Sequence, residues 1–175
     1  MTYADVVELN RRQPRRNRET PAQDTPHRPA PVTGAASLLA YLGAAPLLAA
    51  AIAMITNPFD AAGAEAFLVL YGAALLIFFG GVRWGVAVMK PNGPTKRALL
   101  GAGLPMVAAL PLFLPGDAGV KMMVIMALMI VLLIDDLRAT RRGDGAPEWY
   151  LGVRAPLTVL IEVAFLVALA TKMSG

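Results

Sequence analysis

From residue 35 onward the chain alternates long apolar stretches with short polar ones. The apolar runs cover about residues 35–56, 66–89, 98–114, 119–138 and 156–171. A helix rises about 1.5 Å per residue and a bilayer's hydrocarbon core is about 30 Å thick, so roughly 20 residues span it. The first two runs are long enough outright. The other three need flanking residues, and the fourth reaches through Asp135 and Asp136 to Arg138. The runs are apolar all round, whereas a helix of a soluble bundle keeps a polar stripe. Alternation of period two, the mark of a membrane strand, is absent. The pattern predicts an all-α integral membrane protein with five transmembrane helices.

The links between runs are short and carry turn residues: Asn57-Pro58, Asn92-Gly93-Pro94 and Pro115-Gly116-Asp117. Short links favour antiparallel neighbours, so the helices are expected to form an up-down bundle over residues 34–175. No internal repeat is visible, which gives an inverted-repeat transporter little support.

Residues 1–33 are different. They hold Arg11, Arg12, Arg15, Arg16, Arg18 and Arg28 among five prolines. Such a segment buries too little apolar surface to offset its ordering entropy, and is read as a disordered cytoplasmic tail. It resembles neither a signal peptide nor a transit peptide: no apolar core follows the bases promptly, and Asp5, Glu8, Glu19 and Asp24 intervene.

Charge sets the expected threading. With the N-terminus inside, thirteen bases fall on the inner side: six in the tail, then Lys90, Lys96, Arg97, Arg138, Arg141, Arg142 and Arg154. Only Lys121 and Lys172 fall outside, and Arg83 lies within a run. This positive-inside bias predicts N-in, C-out. Trp84, Trp149 and Tyr150 are expected as interface anchors, since amphipathic rings prefer the headgroup level.

Composition agrees. Hydrophobic residues make up 57% of the chain and charged residues 16%, against about 25% charged in soluble domains. The cysteine count is zero, which excludes disulfides, thiolate nucleophiles and cysteine metal sites. The one histidine, His27, precedes every apolar run, so no histidine-held haem or metal lies in the membrane. The net charge of +4 reflects topology signals beside apolar runs, and no nucleic-acid partner is expected.

Several local motifs lie within the runs. They are Tyr41-Leu-Gly-Ala-Ala-Pro46, Tyr71-Gly-Ala-Ala, Phe79-Gly-Gly-Val-Arg-Trp-Gly85, Asp135-Asp136-Leu-Arg138, and Pro147-Glu-Trp-Tyr-Leu-Gly-Val-Arg154 followed by Pro156-Leu-Thr158. In that order and spacing the chain resembles the domain-of-unknown-function 3429 family over about residues 35–170. That family includes transmembrane protein 69-like and small bacterial inner-membrane proteins. The resemblance implies a multi-pass membrane fold and a bacterial inner-membrane location, and it carries no activity with it. Such sequences usually have histidine at the position of Arg83, so no titrating imidazole is carried over to this chain.

Arg83 is the one charge within run two, and Glu162 the one charge within run five. Each lies about six residues from the inner end of its run, or roughly 9 Å deep, so the two are expected to pair. A lone charge there costs about 2.5–3.5 kcal/mol on insertion scales. Such a pair fits a gate or proton-coupled site, or a static lock between helices; Arg83 snorkelling to the headgroups is the other structural reading. Gly72 and Gly80 share a face of run two with Arg83, and Gly81-x-x-x-Gly85 forms a second ridge expected to pack closely. Arg154, Thr158 and Glu162 follow at i, i+4, i+8, a polar stripe that either lines an inward-facing crevice or is buried against run two. Pro156 is expected in the first helical turn.

Asp135 and Asp136 stand at the expected end of run four, where two acids oppose the helix dipole. Arg138, Arg154 or the Lys96-Arg97 loop should compensate them; the functional alternative is a divalent-cation or proton-uptake site. Met122, Met123, Met126 and Met129 crowd the same run. Thioethers bind Cu(I), but adaptable packing is their commoner use. Pro105 and Pro111 are expected to kink run three.

No Ser–His–Asp set, phosphate loop or metal-ligand cluster is present, so no enzyme and no cofactor are expected. The first functional expectation is an accessory or assembly subunit, packing through small-residue faces against a larger membrane complex or a second copy. The alternative is a small ion or metabolite transporter or channel centred on Arg83 and Glu162. A third option, an enzyme acting on lipid, calls for a polar cavity near the inner interface.

Overall fold

In lipid a backbone amide has no water to bond, so a long apolar segment must satisfy its own hydrogen bonds as a helix. The computed structural model describes residues 32–57, 60–90, 93–143 and 145–174. These form five helices: α1 (Val32–Thr56), α2 (Ala61–Val88), α3 (Lys96–Ala109), α4 (Ala118–Arg141) and α5 (Glu148–Ser174). Among the described residues there is no strand. All five are long and apolar enough to cross a membrane, α3 only together with the 3-10 turn Leu110–Phe113 that continues it. The tail predicted over residues 1–33 lies outside the described residues but for its last two, which open α1.

Local chemistry sets several helix ends. Thr95 caps α3, its hydroxyl accepting from the Ala98 amide at 3.2 Å. Asp117 caps α4 the same way, accepting from Val120 N at 2.8 Å. Gly143, at φ 72°, adopts the left-handed conformation that lets the chain leave α4.

Three boundaries differ from the hydropathy reading, each because a helix outruns its apolar core. α2 begins at Ala61, which brings Glu65 into the helix. α4 runs on to Arg141, so Asp135 and Asp136 are not terminal; Arg138 and Arg141 occupy the last turn, where cations suit the dipole. α5 begins at Glu148, which places Pro156 inside the helix and not in its first turn. The proline removes the amide that would bond the Gly152 carbonyl. Gly152 is exposed, with open space where a side chain would stand, so that carbonyl lies on an uncrowded face. Pro105 likewise lies inside α3, and Pro111 is the second residue of the 3-10 turn.

α2 packs against α1, α3 and α4, and α5 packs against α1 and α4. Helices α1, α2, α4 and α5 therefore close a ring, and α3 packs on α2 outside it. The ring's interior holds Leu47, Leu76, Ile125, Met129, Ile161 and Phe165, all fully buried. Met122 is fully buried there too and Met126 packs against the core, so these thioethers serve packing. In a bilayer, fit and not water exclusion drives such association. Two glycines make the fit possible. A Cβ on Gly72 would stand 2.6 Å from Phe165 Cζ, and one on Gly80 would stand 2.9 Å from the Ala102 carbonyl oxygen. Tyr71 ties α2 to α1, donating to the Gly43 carbonyl at 2.7 Å.

The two ends of the bundle differ in charge. One end, where α2 and α4 finish and α3 and α5 begin, carries Lys90, Lys96, Arg97, Arg138, Arg141 and Arg142. At the opposite end Lys172 Nζ pairs with Glu65 Oε2 at 2.6 Å, and Lys121 donates to the Leu114 carbonyl.

Candidate functional site: a four-helix charge network

The basic end contains one connected polar cluster. Arg83 lies five residues before the end of α2 and points between α3 and α4. Its Nε donates to Asp136 Oδ1 and its Nη2 to Asp135 Oδ2, each at 2.7 Å. Nη1 donates to the Gly101 carbonyl of α3 at 2.9 Å, and Nη2 reaches the Leu132 carbonyl of α4 at 3.4 Å. Distances of 2.7 Å are those of charge-assisted bonds, the strong class. The planar fork of guanidinium donors is what lets one side chain grip two carboxylates and a carbonyl.

Asp136 extends the cluster to α5. Its second oxygen, Oδ2, lies 3.6 Å from Arg154 Nε. That is an ion-pair contact, too long for a hydrogen bond. Arg154 is 1% exposed. Its Nη1 donates to Thr158 Oγ1 at 2.6 Å, and the Thr158 hydroxyl donates in turn to the Arg154 carbonyl. Nε and Nη2 have no hydrogen-bond partner among the described residues. The Phe79 ring takes their place: Arg154 Cζ stands 3.4 Å from its centroid. A cation over an aromatic face is attracted by the ring quadrupole, most strongly where water is excluded. Two guanidinium groups thus meet two carboxylates, and the cluster is formally neutral.

Sequence spacing misplaced one partner. The expected Arg83–Glu162 pair is not formed: the ion pairs of Arg83 go to Asp135 and Asp136. Because α5 starts at Glu148, Glu162 sits about 21 Å along the helix from its first residue, whereas Arg83 is about 7.5 Å from the end of α2. Matching depth required the helix to begin at Pro156. Both Glu162 carboxylate oxygens are buried and have no hydrogen-bond partner among the described residues. Arg154 and Thr158 are buried against α2, so this part of the stripe lines no crevice.

Of the compensators expected for the two acids, Arg154 reaches Asp136, and Arg83 takes the larger share. Arg138 is exposed and forms no ion pair among the described residues. No group of three or more His, Asp or Glu side chains among the described residues is placed to hold a metal. Gly72 and Gly80 make the close approaches expected of them. Gly81 and Gly85 do not, since nothing lies within 4 Å of where their Cβ would stand. Trp84 and Trp149 are half exposed at the basic end, and Tyr150 meets Trp149 edge to face with centroids 6.3 Å apart.

Three participants were not singled out from the sequence. The carbonyls of Gly101 and Leu132 carried no signal. Phe79 carried a faint one, standing four residues before Arg83 and so on the same helix face.

Beside the network a cleft of roughly 160 Å³ opens between the ends of α2, α3 and α4 and the start of α5. Arg83, Asp135, Asp136 and Tyr150 line it together with Lys90, Arg97 and Arg142.

The motif segments quoted from the sequence therefore converge. The Phe79–Gly85 stretch, the Asp135-Asp136 pair and the Trp149–Arg154 stretch build the network, and the Tyr41–Pro46 and Tyr71 stretches meet through Gly43. No curated protein and no solved structure matches the chain. A family described as "Protein of unknown function (DUF3429)" matches residues 27–170, nearly all of the helical region, and the chain belongs to that family.

Proposed function

We propose that this chain is a small multi-pass subunit of the bacterial inner membrane that docks, through the outer face of α2, on a larger membrane complex. The observation that carries the reading is the pair Gly81 and Gly85. They stand one turn apart with open space over both, beside exposed Phe78, Trp84 and Val88. Small residues one turn apart let a second helix approach closely. The sister glycines Gly72 and Gly80 are already used inside the bundle. The charge network also favours a packing role: its carboxylates are turned onto guanidinium groups that hold four helices together. The bias of bases toward one end supports placing that end, and the N-terminus, in the cytoplasm. Extraction from native membranes in a mild detergent, followed by native gel electrophoresis, tests the reading. The wild type should migrate in a larger assembly, and the G81L/G85L variant should run as the free chain. A wild type that runs free in every mild detergent overturns it.

A second reading is a small ion or metabolite transporter. It does not have an Arg83–Glu162 pair at its centre, and rests on the Glu162 carboxyl within α5, whose oxygens have no hydrogen-bond partner among the described residues. Ion or metabolite flux into liposomes that the wild type supports and Glu162→Gln abolishes would favour it.

A further inference from the structure

The cleft at the basic end has a feature that the network does not use. Arg97, in the first turn of α3, and Arg142, just past the end of α4, both line it. Both are exposed, and neither forms an ion pair among the described residues. The acids that also line the cleft, Asp135 and Asp136, are held by Arg83. Among the described residues, the cleft therefore presents positive charge that no lining acid balances.

Its wall has the opposite character. Val82, Val86 and Ala98 give it an apolar side running along α2 and α3. Trp84 and Trp149 stand half exposed at the same end of the bundle, where aromatic belts mark the level of lipid headgroups. A free anion would use the cations and leave the apolar wall wet. A glycerophospholipid uses both, because its phosphate is joined directly to hydrocarbon. Basic pockets between membrane helices on the cytoplasmic side are where anionic headgroups are held.

We infer that this cleft binds the phosphate of an anionic glycerophospholipid. Arg97 and Arg142 hold the phosphate, and the first acyl methylenes lie along Val82, Val86 and Ala98. The inference rests on the membrane location of the chain and is independent of whether it docks on a larger complex.

The test uses the full chain, purified in a neutral detergent and stripped of lipid. Phosphatidylglycerol, phosphatidylcholine or inorganic phosphate is then added at matched concentration, and bound ligand is counted by native mass spectrometry. Phosphatidylglycerol should be retained at one per chain, and phosphatidylcholine should bind at least tenfold more weakly. The R97Q/R142Q variant should lose phosphatidylglycerol by tenfold or more, as expected for removing two bases near an anionic headgroup. The R138Q/R141Q variant removes the same charge from the same end but outside the cleft, and should retain the lipid. Equal loss in both variants, or equal retention of the two lipids, overturns the site. Inorganic phosphate binding as tightly as the lipid overturns the assignment of lipid as the occupant.

Discussion

Arg83 Nε and Asp136 Oδ1 meet at 2.7 Å although 53 positions separate them in the chain. Asp136 is 14% exposed at its side chain and serves two guanidinium groups at once. Removing one partner of a buried pair leaves an uncompensated charge, which costs about 3–5 kcal/mol. Asp136→Asn should therefore destabilise the folded protein by that amount in reversible unfolding in detergent. Asp135 is 45% exposed at its side chain, so Asp135→Asn should cost about 1 kcal/mol or less. Equal losses would mean that Asp136 is not the hub of the network.

A double-mutant cycle separates the observed pairing from the one that spacing suggested. Arg83→Ala and Asp136→Ala should couple by about 1–3 kcal/mol, as groups in one network do. Arg83→Ala and Glu162→Ala should add within about 0.5 kcal/mol. Unfolding midpoints of the three single and two double variants decide it, and coupling of Arg83 to Glu162 would contradict the geometry.

The adjacent glycines of α2 should respond oppositely to the same change. Gly80→Ala forces a methyl group to within 2.9 Å of the Ala102 carbonyl oxygen, and overpacking of this kind costs about 1–3 kcal/mol. Gly81→Ala meets open space and should be neutral or stabilise by up to about 1 kcal/mol, because alanine favours a helix over glycine. Thermal stability of the two purified variants is the measurement.

Phe79 supplies the face over which Arg154 sits. Phe79→Leu keeps apolar bulk but removes the ring quadrupole, and should cost about 1–2 kcal/mol. Phe79→Tyr should recover part of that loss if its hydroxyl finds room. A Phe79→Leu variant as stable as the wild type would show that burial alone holds Arg154 there.

At the opposite end, Glu65 and Lys172 pair at 2.6 Å with the lysine side chain 32% exposed. An exposed pair contributes roughly 0–1 kcal/mol and is weakened by salt. Glu65→Gln should lower stability by less than 1 kcal/mol, with the difference shrinking at high salt in the same unfolding assay.

The sequence alone was enough to count the helices, because each apolar run is long enough to span and must bond its own backbone. It also supplied the components of the site: Arg83, Asp135, Asp136 and Arg154 all stood out as charges at or within apolar runs. Their pairing was a matter of tertiary structure. Hydropathy stops where polar residues begin, but a helix continues wherever its polar residues find partners. The stretch from Glu148 to Arg154 is helical, with Arg154 buried between Asp136 and Phe79. The eight helical residues ahead of Pro156, Glu148 to Ala155, moved Glu162 away from Arg83. Gly72 and Gly81 likewise look alike in sequence, yet only the packing of α2 among its neighbours puts one against Phe165 and leaves the other open. Local pattern determined which segments cross the membrane; which groups meet within it depended on where helices of unequal polar overhang come into register.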